Sequence, residues 1–272
     1  MERSTPHSPI ASKDNRQIKY LKSLTDPQVR KRERAYLIEG TRMVEEALRD
    51  RAGVKQVIAS PSLTRHHGRG IIRLAEETGA DLLWISDRLL DSIAETKTPQ
   101  PVLAIMEMRE PNEDALLDDP ARLIILCNRL QDPGNLGTII RTAEAAGASG
   151  VAVTPSTVDA YNPKSIRASM GSILRLPVVK VQNEHNFVQA CKKKGFQTAA
   201  LVLNGRETPF ELDLTVPTVV MLGQEGSGLP AEEVVDFDHR IRIPMAETID
   251  SLNVAISAAV VLYEVVRQRS RP

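Results

Sequence analysis

Cysteine is scarce. Cys127 and Cys191 are the only two, they lie far apart, and neither belongs to a C-x-x-C pair, which excludes a disulfide framework and a zinc knuckle and leaves two buried thiols. Net charge is absent too: 35 basic residues cancel 35 acidic ones, so the whole chain exerts no global pull on nucleic acid. No long apolar run exists. The stretch from Val254 to Val266 is interrupted by Ser257 and Glu264 and is too short to cross about 30 Å of hydrocarbon. The opening MERSTPHSPIASKDNRQ has no apolar stretch before its charges, and Glu2 and Asp14 speak against an organellar leader. These features point to a cytoplasmic protein without a membrane span.

Several catalytic signatures are missing as well. There is no G-x-x-x-x-G-K-[ST] loop, no G-x-G-x-x-G after a strand and no H-E-x-x-H, so there is no P-loop, ordinary dinucleotide fingerprint or zincin motif, and the missing G-x-S-x-G weakens a hydrolase reading. The adjacent His66 and His67 sit in a polar loop without ligand spacing, so no metal is expected.

What remains is a globular composition, 42% hydrophobic and 26% charged over 272 residues, enough for two modest domains. Short β-branched runs alternate with helical patterns from Tyr36 almost to the end, the mark of α/β architecture. In the first half, strands are expected at Tyr36 to Glu39, Lys55 to Ala59, Leu82 to Ile85 and Val102 to Met108, with helices at Thr41 to Asp50, Gly70 to Thr78 and Asp87 to Glu95. The polar, proline-bracketed REPNEDALLDDP, Arg109 to Pro120, separates the halves. Residues 1–34 read as a basic arm, 35–112 as a first domain and 120–272 as a second. Between Lys13 and Arg34 eight basic residues face three acidic ones, an excess of five; such a run is either a solvated face or a phosphate-binding patch.

The second half opens on the continuous apolar run Leu123 to Cys127, as in a strand covered on both faces. Further strands are expected at Val151 to Val153, Val178 to Val181, Thr198 to Leu203 and Thr218 to Leu222. Helices are expected at Asn135 to Ala146, Pro163 to Met170, Asn186 to Lys194 and Ser251 to Gln268. The last of these would turn Leu252, Ala255, Ile256, Ala259, Leu262 and Val266 to one side.

Three stretches stand at strand ends, where open α/β sheets bind ligands. In NRLQDPGNLGTIIR, the turn Asp132, Pro133, Gly134 places Asn135 at an N-cap, with Arg141 further along the same helix. In LGQEGSGLP, three glycines surround Glu225 and let backbone approach a ligand closely. In IPMAETIDSLNV, a strand end runs into a helix with Ser251 or Asp250 suited to cap it and Asn253 beside them. Taken singly, each has a plain reading as a capped helix or glycine loop.

Together, NRLQDPGNLGTIIRTAEAAG, LGQEGSGLP and IPMAETIDSLNVAISAAVVLYE resemble, in order, the three signature motifs of the SpoU/TrmH branch of the SPOUT methyltransferases. RERAYLIEGTRMVEEAL resembles the start of the L30e-like RNA-binding domain that precedes the catalytic domain in many members. The resemblance implies an N-terminal L30e-like α/β domain followed by a SPOUT α/β domain with a C-terminal trefoil knot. It implies a homodimer that methylates the ribose 2′-hydroxyl of RNA with S-adenosyl-L-methionine, with large-subunit (23S-type) rRNA preferred over tRNA on the analogy with a ribosomal-protein fold. By motif position, Asn135 and Arg141 match the family's catalytic pair, Glu225 the acid of the second motif, and Ser251 and Asn253 the polar pair of the third. Leu222, Gly223, Ile243, Met245 and Leu252 would hold the cofactor. Glu247 stands where many members have glycine, and Gln224 where asparagine is commoner.

Overall fold

The computed structural model describes residues 9–65, 68–119, 121–226 and 228–270; His66 and His67 lie outside them. Two compact units emerge, one of residues 1–109 with 161–163, the other of 110–160 with 164–272.

The first unit contains α1 (Arg16–Ser23), α2 (Pro27–Glu33), β1 (Ala35–Glu39), α3 (Thr41–Arg49), β2 (Val54–Ala59), α4 (Arg69–Thr78), β3 (Asp81–Trp84), α5 (Asp87–Asp91) and β4 (Val102–Glu107). Its four-stranded sheet has the order β1-β4-β2-β3. β4 runs antiparallel to both β1 and β2, in register at Tyr36↔Met106 and Val57↔Ala104, while β2 and β3 are parallel.

Residues 16–33 correct the expectation of a basic arm. They fold as α1 and α2, capped by Asn15 and Asp26 with Pro27 in the first turn of α2. Ile18, Leu21 and Leu24 are at most 1% exposed and belong to one core cluster with Ile58, Ile85, Leu103 and Ile105. Arg30 is buried and donates to the carbonyls of Leu24 and Thr25 at 3.0 and 2.7 Å, which ties α2 back onto the turn after α1. The remaining charges, among them Lys13, Arg16, Lys22 and Lys31, stay exposed. The apolar spacing of Ile18, Leu21 and Leu24 was the signal, masked by the lysines and arginines between them.

The second unit contains α6 (Asp114–Leu117), β5 (Leu123–Cys127), α7 (Pro133–Ala145), β6 (Gly150–Val153), α8 (Pro163–Ser169), β7 (Val178–Lys180), α9 (Glu184–Lys193), β8 (Gln197–Leu201), β9 (Thr218–Leu222), β10 (His239–Ile241) and α10 (Val254–Arg269). Its six-stranded sheet is wholly parallel, in the order β10-β8-β9-β5-β6-β7. β5 and β9 lie at its centre and are buried at every residue, which is why they read as unbroken apolar runs. Cys127 and Cys191 are buried free thiols, and burial pushes the thiol of Cys191 up to about 12. The expected polar linker contributes to this core: Leu116 and Leu117 of α6 pack with Ile124, Phe187 and Val219.

α10 packs on α7 and buries Ala255, Ala258, Val261, Leu262 and Val265. Ile256, expected on the inner side, is 53% exposed, as is Tyr263 at 55%, because the buried arc is centred on Ala258 and Leu262 instead. The end of α10 is anchored by hydrogen bonds: the Gln268 side chain bonds the Leu212 carbonyl and the Leu214 N–H, and Arg269 donates to the carbonyls of Leu214 and Val216. Among the described residues no helix is long and apolar enough to cross a membrane, and no three His, Cys, Asp or Glu side chains converge to hold a metal.

The buried face of α1 sets one expected outcome. Leu21→Ala should destabilise the protein by about 2–5 kcal/mol through lost burial and a residual cavity, whereas the exposed Lys22→Ala should stay within about 0.5 kcal/mol. Thermal unfolding followed by circular dichroism checks both; equal effects would mean that α1 is not part of the core.

Candidate active site

The sheet order brings two of the three motifs together. β5 and β9 are parallel neighbours with Cys127 opposite Leu222, and the Asn128 N–H donates to the Leu222 carbonyl at 2.8 Å. Loops 128–132 and 223–230 therefore leave the same carboxyl edge, at the point where the chain has run outward through β6 and β7 and returned on the other side of β5. Gly223 is required here. A Cβ on it would lie 2.4 Å from Gly228 backbone, because the loop folds back with the Gly228 N–H donating to Gln224 at 2.9 Å and with Gly226 and Gly228 at φ +88° and +67°.

Asp132, not Asn135, caps α7. Its carboxylate accepts from the N–H groups of Gly134 and Asn135 and pairs with Lys164 at 2.9 Å. The Lys164 hydrogen bond, aided by those N–H groups against a small burial cost, holds the Asp132 carboxyl below the usual range. Asn135 is then the third residue of the helix, with a side-chain amide free to bond elsewhere.

That amide joins the three motifs. Asn135 Nδ2 donates to Glu225 Oε1 at 3.0 Å, and Asn135 Oδ1 accepts from Asn253 Nδ2 at 3.0 Å. Asn253 Oδ1 accepts the N–H groups of Ala255 and Ile256 at 2.9 and 3.3 Å, so Asn253, rather than Ser251 or Asp250, caps α10. The polarity of this chain is forced: an ionised carboxylate only accepts and a helix N-terminus only donates, so both amides between them have one possible orientation. Glu225 also accepts from the Gln131 N–H at 3.2 Å and, at 3.5 Å, from that of Asp132. Burial works against ionisation of Glu225, but the Asn135 amide and the backbone donors outweigh it and hold the carboxyl below the ordinary glutamate range.

Beside this chain lies a cavity of about 510 Å³, within the range of small-ligand sites. Leu222, Gly223, Ile243, Met245 and Leu252 all line it, as do Glu225, Ser251 and Asn253. Asn135 does not; it stands behind Glu225. Arg141 is not brought to the cavity either. Six residues beyond Asn135, it is turned about 240° around α7, and it is exposed. The structure adds residues that the motifs did not indicate: Leu201 to Asn204 at the end of β8, Arg240 in β10 and Arg242 just after it, and Ser257 in α10. The rule that ligands sit at carboxyl strand ends would have found the first group once β8 was placed beside β9. Glu247 is exposed and is not among the residues with positive φ, so its departure from glycine imposes no left-handed strain.

The depressed Glu225 carboxyl has a pH consequence. A folded pKa below the unfolded value of about 4.3 contributes stability above that pH, and the contribution is lost as pH falls through the lower folded value. Glu225→Gln should therefore lose stability at pH 7 and show a shallower acid-side decline in Tm than the wild type below about pH 4.3. Parallel acid-side curves would contradict the bonding pattern.

Residues 122–263 match the SpoU rRNA Methylase family, and residues 15–104 match the MRM3-like substrate binding domain. The second match begins at the cap of α1, in keeping with the place of that helix in the first unit. The 23S rRNA (guanosine(2553)-2′-O)-methyltransferase RlmP of Bacillus subtilis is 34% identical over 254 residues, which cover 93% of this chain and 97% of RlmP. A 23S rRNA (uridine(2479)-2′-O)-methyltransferase of Streptomyces viridochromogenes is 35% identical over 188 residues, 67% of this chain and 66% of that protein. The crystal structure of the SpoU methyltransferase AviRb from Streptomyces viridochromogenes, in complex with AdoMet, superimposes with a TM-score of 0.84 at 30% identity and covers 94% of this chain and 98% of AviRb. With both its halves matched and its three motifs joined at one sheet edge, the chain belongs to the SpoU rRNA methylase family.

Proposed function

We propose that this protein transfers a methyl group from S-adenosyl-L-methionine to the 2′-hydroxyl of a ribose in 23S-type rRNA, in the cytoplasm, as a homodimer. The observation that carries this reading is the cavity lined by Leu222, Gly223, Ile243, Met245 and Leu252 with the Glu225–Asn135–Asn253 chain beside it. The residues fit the cofactor: apolar side chains suit a flat adenine, exposed loop backbone suits its polar edge, and the wall carries both an acidic group, Glu225, and basic groups, Arg240 and Arg242, for a ligand that is itself zwitterionic. When bound, the cofactor supplies an electrophilic methyl on a sulfonium.

The chain's own task is to align a neutral hydroxyl and favour its alkoxide. Arg141 is suited to the second part. A guanidinium offers a planar fork of donors and no acceptor, so Arg141 acts by gripping a phosphate of the target nucleotide and stabilising developing charge on the ribose oxygen. Ser251 is exposed and lines the cavity, and its hydroxyl is suited to orient the ribose. Glu225, Asn135 and Asn253 hold the loops that present these groups.

Arg141 is exposed and does not line its own cavity, α10 exposes Ile256 and Tyr263, and Leu252 just before it is exposed as well. Both features support a dimer in which Arg141 serves the cavity of the second copy. A threaded C-terminus accords with the packing of Gly205, whose Cβ would lie 2.5 Å from Ile241 backbone, and with the anchoring of Arg269. The rRNA assignment follows the names of RlmP and the Streptomyces enzyme; one names a guanosine and the other a uridine, so the shared chemistry is the ribose. The exposed basic residues of α1 and α2 supply an electrostatic face for RNA on the first unit.

Arg141→Ala should lower methyl transfer by about 10²–10³ while S-adenosylmethionine still binds, and Arg141→Lys should fail nearly as badly because an ammonium lacks the planar fork. Mixing Arg141→Ala with Gly223→Val, whose side chain would block the loop, should restore about a quarter of wild-type activity through mixed dimers with one intact site. A mixture that stays inactive would place Arg141 at its own cavity.

A further inference from the structure

Loop 128–132 is held by a second carboxylate besides Glu225. Glu233 lies in the short turn Ala231–Val234, and both Ala231 and Val234 line the cavity. Asn128, 2% exposed, donates from Nδ2 to Glu233 at 2.7 Å, and the Arg129 guanidinium pairs with the same carboxylate at 2.7 Å. Glu225 and Glu233 thus leave one segment, 223–234, and grip one loop at two points.

Between those points the backbone takes a costly turn. Arg129 has φ +57°, a left-handed conformation that disfavours any residue but glycine. Its N–H donates to Thr154 Oγ1 at 3.1 Å, and its carbonyl accepts from Gln131 Nε2 at 2.9 Å. Two residues later the Gln131 N–H points to Glu225. The turn at 129 therefore sets the direction in which Gln131, Asp132 and Asn135 meet that carboxylate. Stability alone is a poor reason for an arginine there: the pair is partly exposed, 35% for Arg129 and 17% for Glu233, and such pairs contribute little, while glycine would adopt the turn without strain.

We propose that Glu233 is a positioning residue for methyl transfer. Through Arg129 and Asn128 it fixes the left-handed turn, so that the cavity wall at Ala231 and Val234 and the loop that leads into α7 and Asn135 keep a single relative geometry. This rests on the methyltransferase reading above, and Glu233 touches neither substrate nor cofactor.

Arg129→Gly separates positioning from stability. Glycine relieves the backbone strain but deletes the pair, so Tm should hold or rise while kcat on an unmodified 23S rRNA transcript falls by about 10²-fold, the scale of an ångström-sized misplacement. Binding of S-adenosylhomocysteine should stay within about threefold of wild type, and Glu233→Gln should show the same split between kcat and cofactor affinity. The double variant should be scarcely worse than either single one, as expected for residues acting as a unit. The proposal is overturned if kcat stays within about threefold in both variants, or if S-adenosylhomocysteine binding falls in step with kcat, which would assign the pair to the cofactor pocket. Wild-type protein that fails to bind S-adenosylhomocysteine would contradict the methyltransferase reading instead.

Discussion

The site depends on the direction of one hydrogen-bond chain. At one end is the Glu225 carboxylate, which can only accept; at the other are the first N–H groups of α10, which can only donate. Two asparagine amides between them convert one requirement into the other, and in doing so join segments 90 and 118 residues apart. The arrangement needs Asn135 free of helix capping, a duty that Asp132 performs one turn earlier with Lys164 to support its charge. It also needs β5 and β9 side by side, since only adjacent parallel strands deliver both loops to the same edge. Truncating any member leaves its neighbour's donor or acceptor without a partner, which in a partly buried site costs more than the lost bond.

Around that chain the fold divides its labour. The central strands are buried and rigid, the segments at their carboxyl ends build the cavity, and the reactive groups stand on loops whose freedom has been removed by carboxylates and glycines. Arg141 is the exception: it is exposed on α7 and does not line the cavity. The proposed homodimer, with an active site assembled from two chains, would reconcile that position with the motif to which the residue belongs. It would also cover the exposed apolar residues Ile256 and Tyr263 of α10.

Much of this was legible in the residues. Continuous apolar runs marked β5 and β9, and the second and third motifs identified the cavity wall because their glycines and short polar side chains have few other uses at strand ends. Caps were misassigned by two or three residues, at Asn135 and at Ser251 or Asp250, since several neighbouring residues in each motif are chemically able to cap and only the backbone path selects one. The helices of residues 16–33 were hidden by charge: lysine and arginine dominate the composition while three spaced apolar residues decide the packing. Leu201 to Asn204 went unnoticed because cavity-lining backbone needs no distinctive side chain. The inner face of α10 was displaced because a helix apolar on most of its surface gives periodicity little to distinguish the core side from the other.

The central claim is that this chain methylates a ribose of large-subunit rRNA, and mapping of 2′-O-methyl groups tests it most directly. Mass spectrometry of rRNA from cells with and without the gene should show one 2′-O-methylated nucleotide in 23S-type rRNA that disappears with the gene and returns with the wild-type protein. An unchanged set of 2′-O-methyl groups, or a lost methyl that maps to a base or to tRNA, would contradict the account.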